Sequence, residues 1–449
     1  MNIIQMPKWL KIRLSNTLGT FGGYFRWVGV SVEHRIGVLR RRRDPALPER
    51  HLLLLAGIFP PEVSGGSYRP TSLVRYGKKM GWKISVLSSQ LPTNPTVAGI
   101  DLFNTLPAGV DIFRVKPVRF MPSNNWFPRV DGGFIDSLNL FSNAKVKLRY
   151  DPPSIIMATG PPFHSFVSAY YISRYFKAKF VLDYRDEWTE CPFDFVSSAK
   201  YDRYWERRCL KEADVVIFTT KSHLDHALQT FKELKREKCS VIPNGWEPAD
   251  FSVDSDDKTP REKTESKFHI AFVGNLGRHT LPERFLSSLE KVLFRRPDLC
   301  GEIFVQFVGN KCTEAIDQLS KFSFPMVLNN IGLVPKKEAN RIMRDADALL
   351  IFNEDRFARY LPGKLYDYLA AGPPILCLGD SGEIADLIRK FDSGMVVRWD
   401  SDTDLEQALD LFVEGNTFCT NRLQLDAWLS DHTRESMAIN IMERINRCL

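Results

Sequence analysis

From residue 51 onward, short apolar runs alternate with stretches of helical periodicity, and the whole alternation occurs twice. The first set of runs covers 52–56, 83–88, 154–158, 180–184, 215–219 and 240–242, with a helix predicted over 68–80. The second covers 269–273, 303–308, 326–329, 348–352, 374–378 and 395–397, with helices predicted over 283–294 and 336–345. Runs this short and apolar need cover on both faces, which a parallel sheet between helix layers supplies. The chain is therefore expected to be α/β, with two Rossmann-like doubly wound domains facing a cleft and ligands outside the carboxyl ends of the strands. Between the sets, 250–267 is charged, carries Pro260 and has almost no apolar residue, which predicts a linker. The expected domains are thus 51–249 and 268–425, with helical stretches at 404–413 and 422–447 and a terminal helix over 426–449.

Charge divides the chain differently. Residues 1–50 hold ten Lys and Arg against three Asp and Glu, a surplus of +7, while the remaining 51 of each sign cancel. A neutral body has no basic field for nucleic acid, so no such partner is expected. The extension mixes Trp9, Phe21, Tyr24, Phe25 and Trp27 with bases and ends in Arg40, Arg41, Arg42 and Arg43. It is either a solvated tail or a segment lying on an anionic membrane face, and the aromatics favour membrane contact through 1–45. No apolar run is long enough to span a membrane and no leader cleavage site is evident. A cytoplasmic location, at the membrane face, is the expectation. The eight cysteines form no CxxC pair, which argues against a disulfide framework or a zinc site.

Several strand-to-helix turns carry groups suited to phosphate and sugar chemistry. In the loop 57–66, Gly65 and Gly66 let backbone approach a ligand and lead into a helix whose N–H groups favour an anion. His164, after Gly160, Pro161 and Pro162, is placed for proton transfer or helix capping. Arg185 and Asp186 leave a buried strand at its carboxyl end, as ligand groups or as an ion pair bracing the loop. Gly274, Asn275, Gly277 and Arg278 make a glycine turn able to meet a diphosphate. In 361–374, LPGKLYDYLAAGPP, Gly363 opens a helix, Lys364 adds charge to its N-terminus, and Asp367 one turn on could accept ribose hydroxyls. A plain surface helix with a Lys–Asp pair would read the same way in isolation. Asp254, Asp256 and Asp257 look like a metal-binding DxD but lie in the linker, where a solvated loop is the better reading.

Taken in order, these segments resemble the retaining glycosyltransferases of family 4, which have the GT-B fold. The resemblance spans roughly 52–400 and rests on FPPEVSGGSYRP (59–70), GPPF (160–163), VLDYRDEW (181–188), VIPNGWE (241–247), FVGNLG (272–277) and LPGKLYDYLAAGPPIL (361–376). It implies transfer of a sugar from a nucleotide-diphosphate donor to a glycan or lipid-linked acceptor of surface polysaccharide assembly, with retained anomeric configuration and without a metal or other cofactor. Carried over by position, Gly65, Gly66, Gly274, Asn275, Arg278, Gly363, Lys364, Leu365 and Asp367 would bind the donor, with Gly332 and Val334 beside its base. His164 and Asp186 would lie by the reacting sugar or acceptor. The resemblance departs where a glutamate often precedes Asp367: Arg359 stands there, leaving Glu354 or Asp355 as substitutes. That gap keeps open an inactive glycan-binding or scaffold subunit, and a sugar-nucleotide epimerase of the same fold is a second alternative.

Overall fold

The computed structural model describes residues 50–89, 94–116, 131, 133–193, 196, 200–251, 267–415 and 420–449. The extension 1–45 and the acids Asp254, Asp256 and Asp257 lie outside the described residues. The first apolar run becomes β1 (His51–Ala56), whose six residues are all buried, as a strand covered on both faces must be. At its start the His51 ring meets Ser85 Oγ, 3.0 Å from Nε2. There follow α1 (Tyr68–Lys79), β2 (Lys83–Ser89), α2 (Val97–Asn104), β3 (Asp111–Val115), α3 (Phe134–Lys147) and β4 (Ile155–Gly160). Next come α4 (His164–Phe176), β5 (Lys179–Tyr184), α5 (Lys200–Glu212), β6 (Val215–Phe218), α6 (Lys221–Thr230) and β7 (Cys239–Val241). The strands form one parallel sheet in the order β3-β2-β1-β4-β5-β6-β7, so its switch point lies between β1 and β4.

The second set begins with β8 (Phe268–Val273), α7 (Glu283–Arg295), α8 (Leu299–Glu302), β9 (Ile303–Val308), α9 (Thr313–Ser320), β10 (Leu328–Ile331), α10 (Lys336–Asp345) and β11 (Ala348–Phe352). It continues with α11 (Gly363–Ala371), β12 (Ile375–Leu378), α12 (Gly382–Phe391), β13 (Gly394–Val397), α13 (Asp402–Val413), α14 (Arg422–Asp431) and α15 (Arg434–Asn446). This sheet is also parallel, ordered β10-β9-β8-β11-β12-β13, and switches between β8 and β11. Each sheet has an apolar core of its own, around Phe163, Phe166 and Trp188 in the first and around Phe272, Phe285 and Phe307 in the second.

The chain divides into two compact units at Ile242, not at residue 249, and Ala438–Leu449 belongs to the first unit. The reason is packing. Ala438, Ile441, Met442 and Ile445 are buried, and Gly77 of α1 makes room for the last helix, since a Cβ there would stand 2.3 Å from Met442 Cε. Residues after Ile242 are tied into the second unit: Trp246 N–H donates to the His432 carbonyl at 3.2 Å and Arg434 N–H to the Trp246 carbonyl at 2.8 Å. The same crossing breaks the helical stretch expected over 422–447 into α14 and α15. The strand expected at 326–329 starts later, because Pro325 opens a 3-10 turn over Pro325–Val327. The edge strand β3 and its neighbour α2 escaped sequence reading: β3 is mostly half-buried and α2 mostly exposed, and neither has the long apolar run that marks a central strand. Among the described residues no helix is long and apolar enough to cross a membrane.

Candidate functional site

In the first unit, the turns after β1 and β4 flank the switch point. They are fastened by Arg185, just past β5. Its guanidinium donates to the carbonyls of Gly160 (3.2 Å), Pro161 and Gly66, and its own N–H to Gly160 (3.2 Å). A side chain at Gly66 would collide with this guanidinium, a Cβ lying 2.0 Å from Nη1, and one at Gly57 would strike Pro162 at 2.4 Å. These glycines are therefore needed for the turns to close on each other, while Gly65 has nothing within 4 Å of an added Cβ and presents open backbone. Burial lowers the Arg185 pKa, with Asp186 and Asp183 opposing the shift. Arg185 is thus a brace made through carbonyls; no hydrogen bond or salt bridge joins it to Asp186.

A buried ion pair does exist here, but it joins Arg69 of α1 to Asp183 of β5. Arg69 Nε lies 3.1 and 3.0 Å from the two carboxylate oxygens and Nη2 lies 2.8 Å from Oδ1. Thr159 Oγ1 donates to the same carboxylate at 2.8 Å, and Nη2 also reaches the Ile242 carbonyl at 3.0 Å. Neither residue was singled out in the sequence, although Arg69 closes the first glycine-rich motif. Asp183→Asn is expected to destabilise the fold by about 3–5 kcal/mol, because it strands a buried guanidinium; a urea unfolding midpoint measures it.

Two titratable groups, His164 and Asp186, stand at these turns. His164 opens α4; it is buried and its Nδ1 has no hydrogen-bond partner. Burial holds its pKa down at about 4, so the imidazole is neutral at physiological pH. The half-buried Asp186 carboxyl makes no hydrogen bond, and burial pushes its pKa up to about 6 against the pull of Arg185. A neutral imidazole and a carboxyl poised near 6 are both suited to guiding a hydroxyl proton.

In the second unit, the switch point opens physically. β8 and β11 pair only at Ala348↔Ile270 and Leu349↔Ala271, so Val273, paired with Val308 of β9, has no register partner on β11. The buried hydroxyl of Tyr368, on α11, fills the gap: it accepts from Val273 N–H at 2.8 Å and donates to the Val273 carbonyl at 3.2 Å. That clamp holds α11 against the glycine turn. Tyr368→Phe leaves two backbone groups unpaired and is expected to cost about 1–3 kcal/mol, read by chemical denaturation.

Beside the clamp, Lys364 lays its ammonium over the Phe272 ring, 4.1 Å from the centroid, and a Cβ at Gly274 would stand 3.2 Å from Nζ. Lys364 makes no hydrogen bond or ion pair among the described residues. Burial lowers its pKa to about 8. Gly274 adopts φ +151°, and its carbonyl would lie 2.3 Å from a Cβ at Gly309, so this turn requires glycine twice. The helix α11 starts at exposed Gly363 with Pro362 as an N-cap that supplies no side-chain hydrogen bond. Its first N–H groups thus face the same region as an unpaired cation, which is the chemistry of an anion site.

The other expected donor residues are less alike. Asp367 Oδ2 pairs with Lys336 Nζ at 2.8 Å, and its Oδ1 is buried without a partner, ready for a hydroxyl donor. Lys336, the first residue of α10, was not marked by any sequence motif. Leu365 is buried in the core and its N–H donates to the Pro362 carbonyl at 3.0 Å. Arg278 is 68% exposed and reaches Glu314 at 3.4 Å; it makes no contact with Lys364. Asn275 is exposed, its carbonyl accepting from Thr280 Oγ1 at 3.0 Å. Gly332 uses its carbonyl on Gly309 N–H at 3.1 Å, and Val334 leans half-buried on the core. Of the substitutes for the acid missing at Arg359, Glu354 pairs with Arg356 at 2.9 Å and Asp355 accepts from Ser381 Oγ at 2.6 Å. Among the described residues no group of three His, Cys, Asp or Glu side chains could hold a metal ion.

No family model matches the sequence, and no curated protein matches it either. Solved structures do match in fold. The sucrose-phosphate synthase of Thermosynechococcus elongatus superposes with a TM-score of 0.65 at 12% identity, covering 89% of this chain and 99% of that one. A glycosyltransferase from Rickettsia africae gives 0.62 at 14% identity, over 89% and 98% of the two chains. HepE of Anabaena, solved in complex with UDP, gives 0.62 at 13%, over 89% and 100%. Two parallel sheets with their own switch points, matched over nearly the whole length of these proteins, give the chain the GT-B fold.

Proposed function

We propose that the protein transfers a sugar from a nucleotide-diphosphate donor to an acceptor hydroxyl. The unpaired Lys364 ammonium, set over Phe272 beside the Gly274 turn and the α11 N-terminus, is the observation that carries this reading. It supplies a cation and backbone donors where a departing diphosphate develops charge. The unpartnered Asp367 Oδ1 then accepts from a ribose hydroxyl. The acceptor hydroxyl attacks the anomeric carbon on the face the diphosphate leaves, with retention of configuration, and its proton passes to that diphosphate. His164 and Asp186 line the acceptor or the reacting sugar. Orientation and charge stabilisation by protein groups, without a metal, provide the acceleration. The acceptor is a lipid-linked or surface polysaccharide intermediate, met at the cytoplasmic membrane face through residues 1–45, whose aromatics and arginines suit an anionic surface.

The test is a panel of nucleotide sugars with and without lipid-linked acceptors, scored for free UDP or GDP and for sugar isomers. Acceptor-dependent nucleotide release supports transfer. An isomer formed without acceptor supports an epimerase, and donor binding without turnover supports a scaffold, as the arginine at 359 would suit. Deletion of 1–45 is expected to abolish co-sedimentation with anionic vesicles; unchanged sedimentation removes the membrane contact.

A further inference from the structure

The loop carrying Asp186 and the turn carrying His164 are both fastened to one helix. On α5, Asp202 and Glu206 stand four residues apart, hence on one face, and both are buried. Asp202 Oδ1 accepts two hydrogen bonds, from Trp188 Nε1 at 2.7 Å and from Asp131 N–H at 2.8 Å. Trp188 follows Asp186 by two residues. Asp131 in turn receives the Phe163 N–H on its Oδ2 at 2.9 Å and the His164 N–H on its carbonyl at 2.8 Å. The rings of Trp188 and Phe163 stack with centroids 5.1 Å apart and planes 5° from parallel. Glu206 takes the Thr189 N–H at 3.1 Å and its hydroxyl as well, while Glu187 binds His226 Nδ1 at 2.7 Å.

Buried carboxylates are a costly way to join apolar layers, because each must be desolvated and well-packed hydrophobic residues serve stability as well or better. What the carboxylate adds is direction: one oxygen aims two donors from two separate loops. We infer that Asp202 is a positioning residue, fixing the His164 turn and the Asp186 loop in one register. The inference rests on the proposed roles of His164 and Asp186.

Three variants test it. Trp188→Phe keeps the ring stack and removes only the indole donor. Asp202→Ala removes the acceptor, and Asp202→Asn keeps an oxygen that can accept both bonds. Expected results are a fall in kcat of about 30-fold for Asp202→Ala and about 10-fold for Trp188→Phe, with donor KM within about twofold, and recovery to within about threefold of wild type in Asp202→Asn. A lowered unfolding midpoint with unchanged kcat per folded molecule in both Asp202→Ala and Trp188→Phe overturns the inference, since Asp202 is then only structural. A second readout needs no turnover: NMR titration of ¹³C-histidine-labelled protein. The His164 ring is expected to stay neutral down to about pH 4 in wild type and to titrate nearer its ordinary value in Asp202→Ala. An unchanged His164 titration in that variant also overturns it. Absence of any transfer by wild type refutes the proposed function instead, and the titration still decides the role of Asp202.

Discussion

Lys364→Met is expected to lower kcat/KM for the nucleotide sugar by about 10²–10³-fold, with the unfolding midpoint little changed. Methionine keeps an apolar stem against Phe272 and removes only the charge. Steady-state kinetics beside a urea melt measures both, and near-normal activity would remove Lys364 from the diphosphate site. The pH dependence gives a sharper form of the same result. Burial lowers the pKa of Lys364 from 10.5 to about 8, so the ammonium that meets the diphosphate is lost above pH 8 in the unliganded protein. Affinity for UDP or GDP should be flat between about pH 7 and 8, above the second phosphate ionisation, and then weaken by up to about tenfold per unit until the pKa of the bound state is reached. Lys364→Arg keeps its charge and is expected to abolish that decline in titration calorimetry. The contribution of Lys364 to stability runs the other way. Between about 8 and 10.5 the unfolded chain holds a proton that the folded one has lost, so this contribution grows with pH across the window.

Asp186→Asn is expected to lower kcat by about 10²-fold and to erase a limb of the pH profile. Its carboxyl titrates near 6 because burial disfavours the charged form, and Arg185 only partly offsets this. As a carboxylate that orients the acceptor hydroxyl, Asp186 requires activity to rise through pH 6. His164, neutral above about 4, adds no second limb in that range. The asparagine variant keeps the size of the side chain and loses the titration. A wild-type profile flat between pH 5 and 7.5, or an unchanged limb in the variant, would sink this role.

Both parallel sheets were legible as alternating apolar runs, because a buried strand has to be apolar on both faces. Turn positions of the site were legible too, since glycine and proline punctuate them. The details that decide chemistry were not. The pairing of Arg69 with Asp183 spans 114 residues, and no local pattern announces it. Tyr368 reads in sequence as one more aromatic in a helix; only the splaying of β8 from β11 shows why a hydroxyl is needed there. Lys336 looks like an ordinary first-turn lysine until Asp367 is seen against it. Arg278 follows the glycine turn as read, but its side chain is mostly in solvent and reaches Glu314, a partner that position alone does not announce. Spacing along the chain specifies which turn a residue occupies; its rotamer and its partner depend on distant segments.

The return of Ala438–Leu449 to the first unit has a consequence for how the molecule is made. Synthesis runs from the amino end, so the second unit is complete on the ribosome before the first can be. Until the last dozen residues emerge, the groove beside Gly77 and Ile84 that receives Met442 is bare. A nascent or truncated chain would therefore expose apolar surface on its earliest-made part.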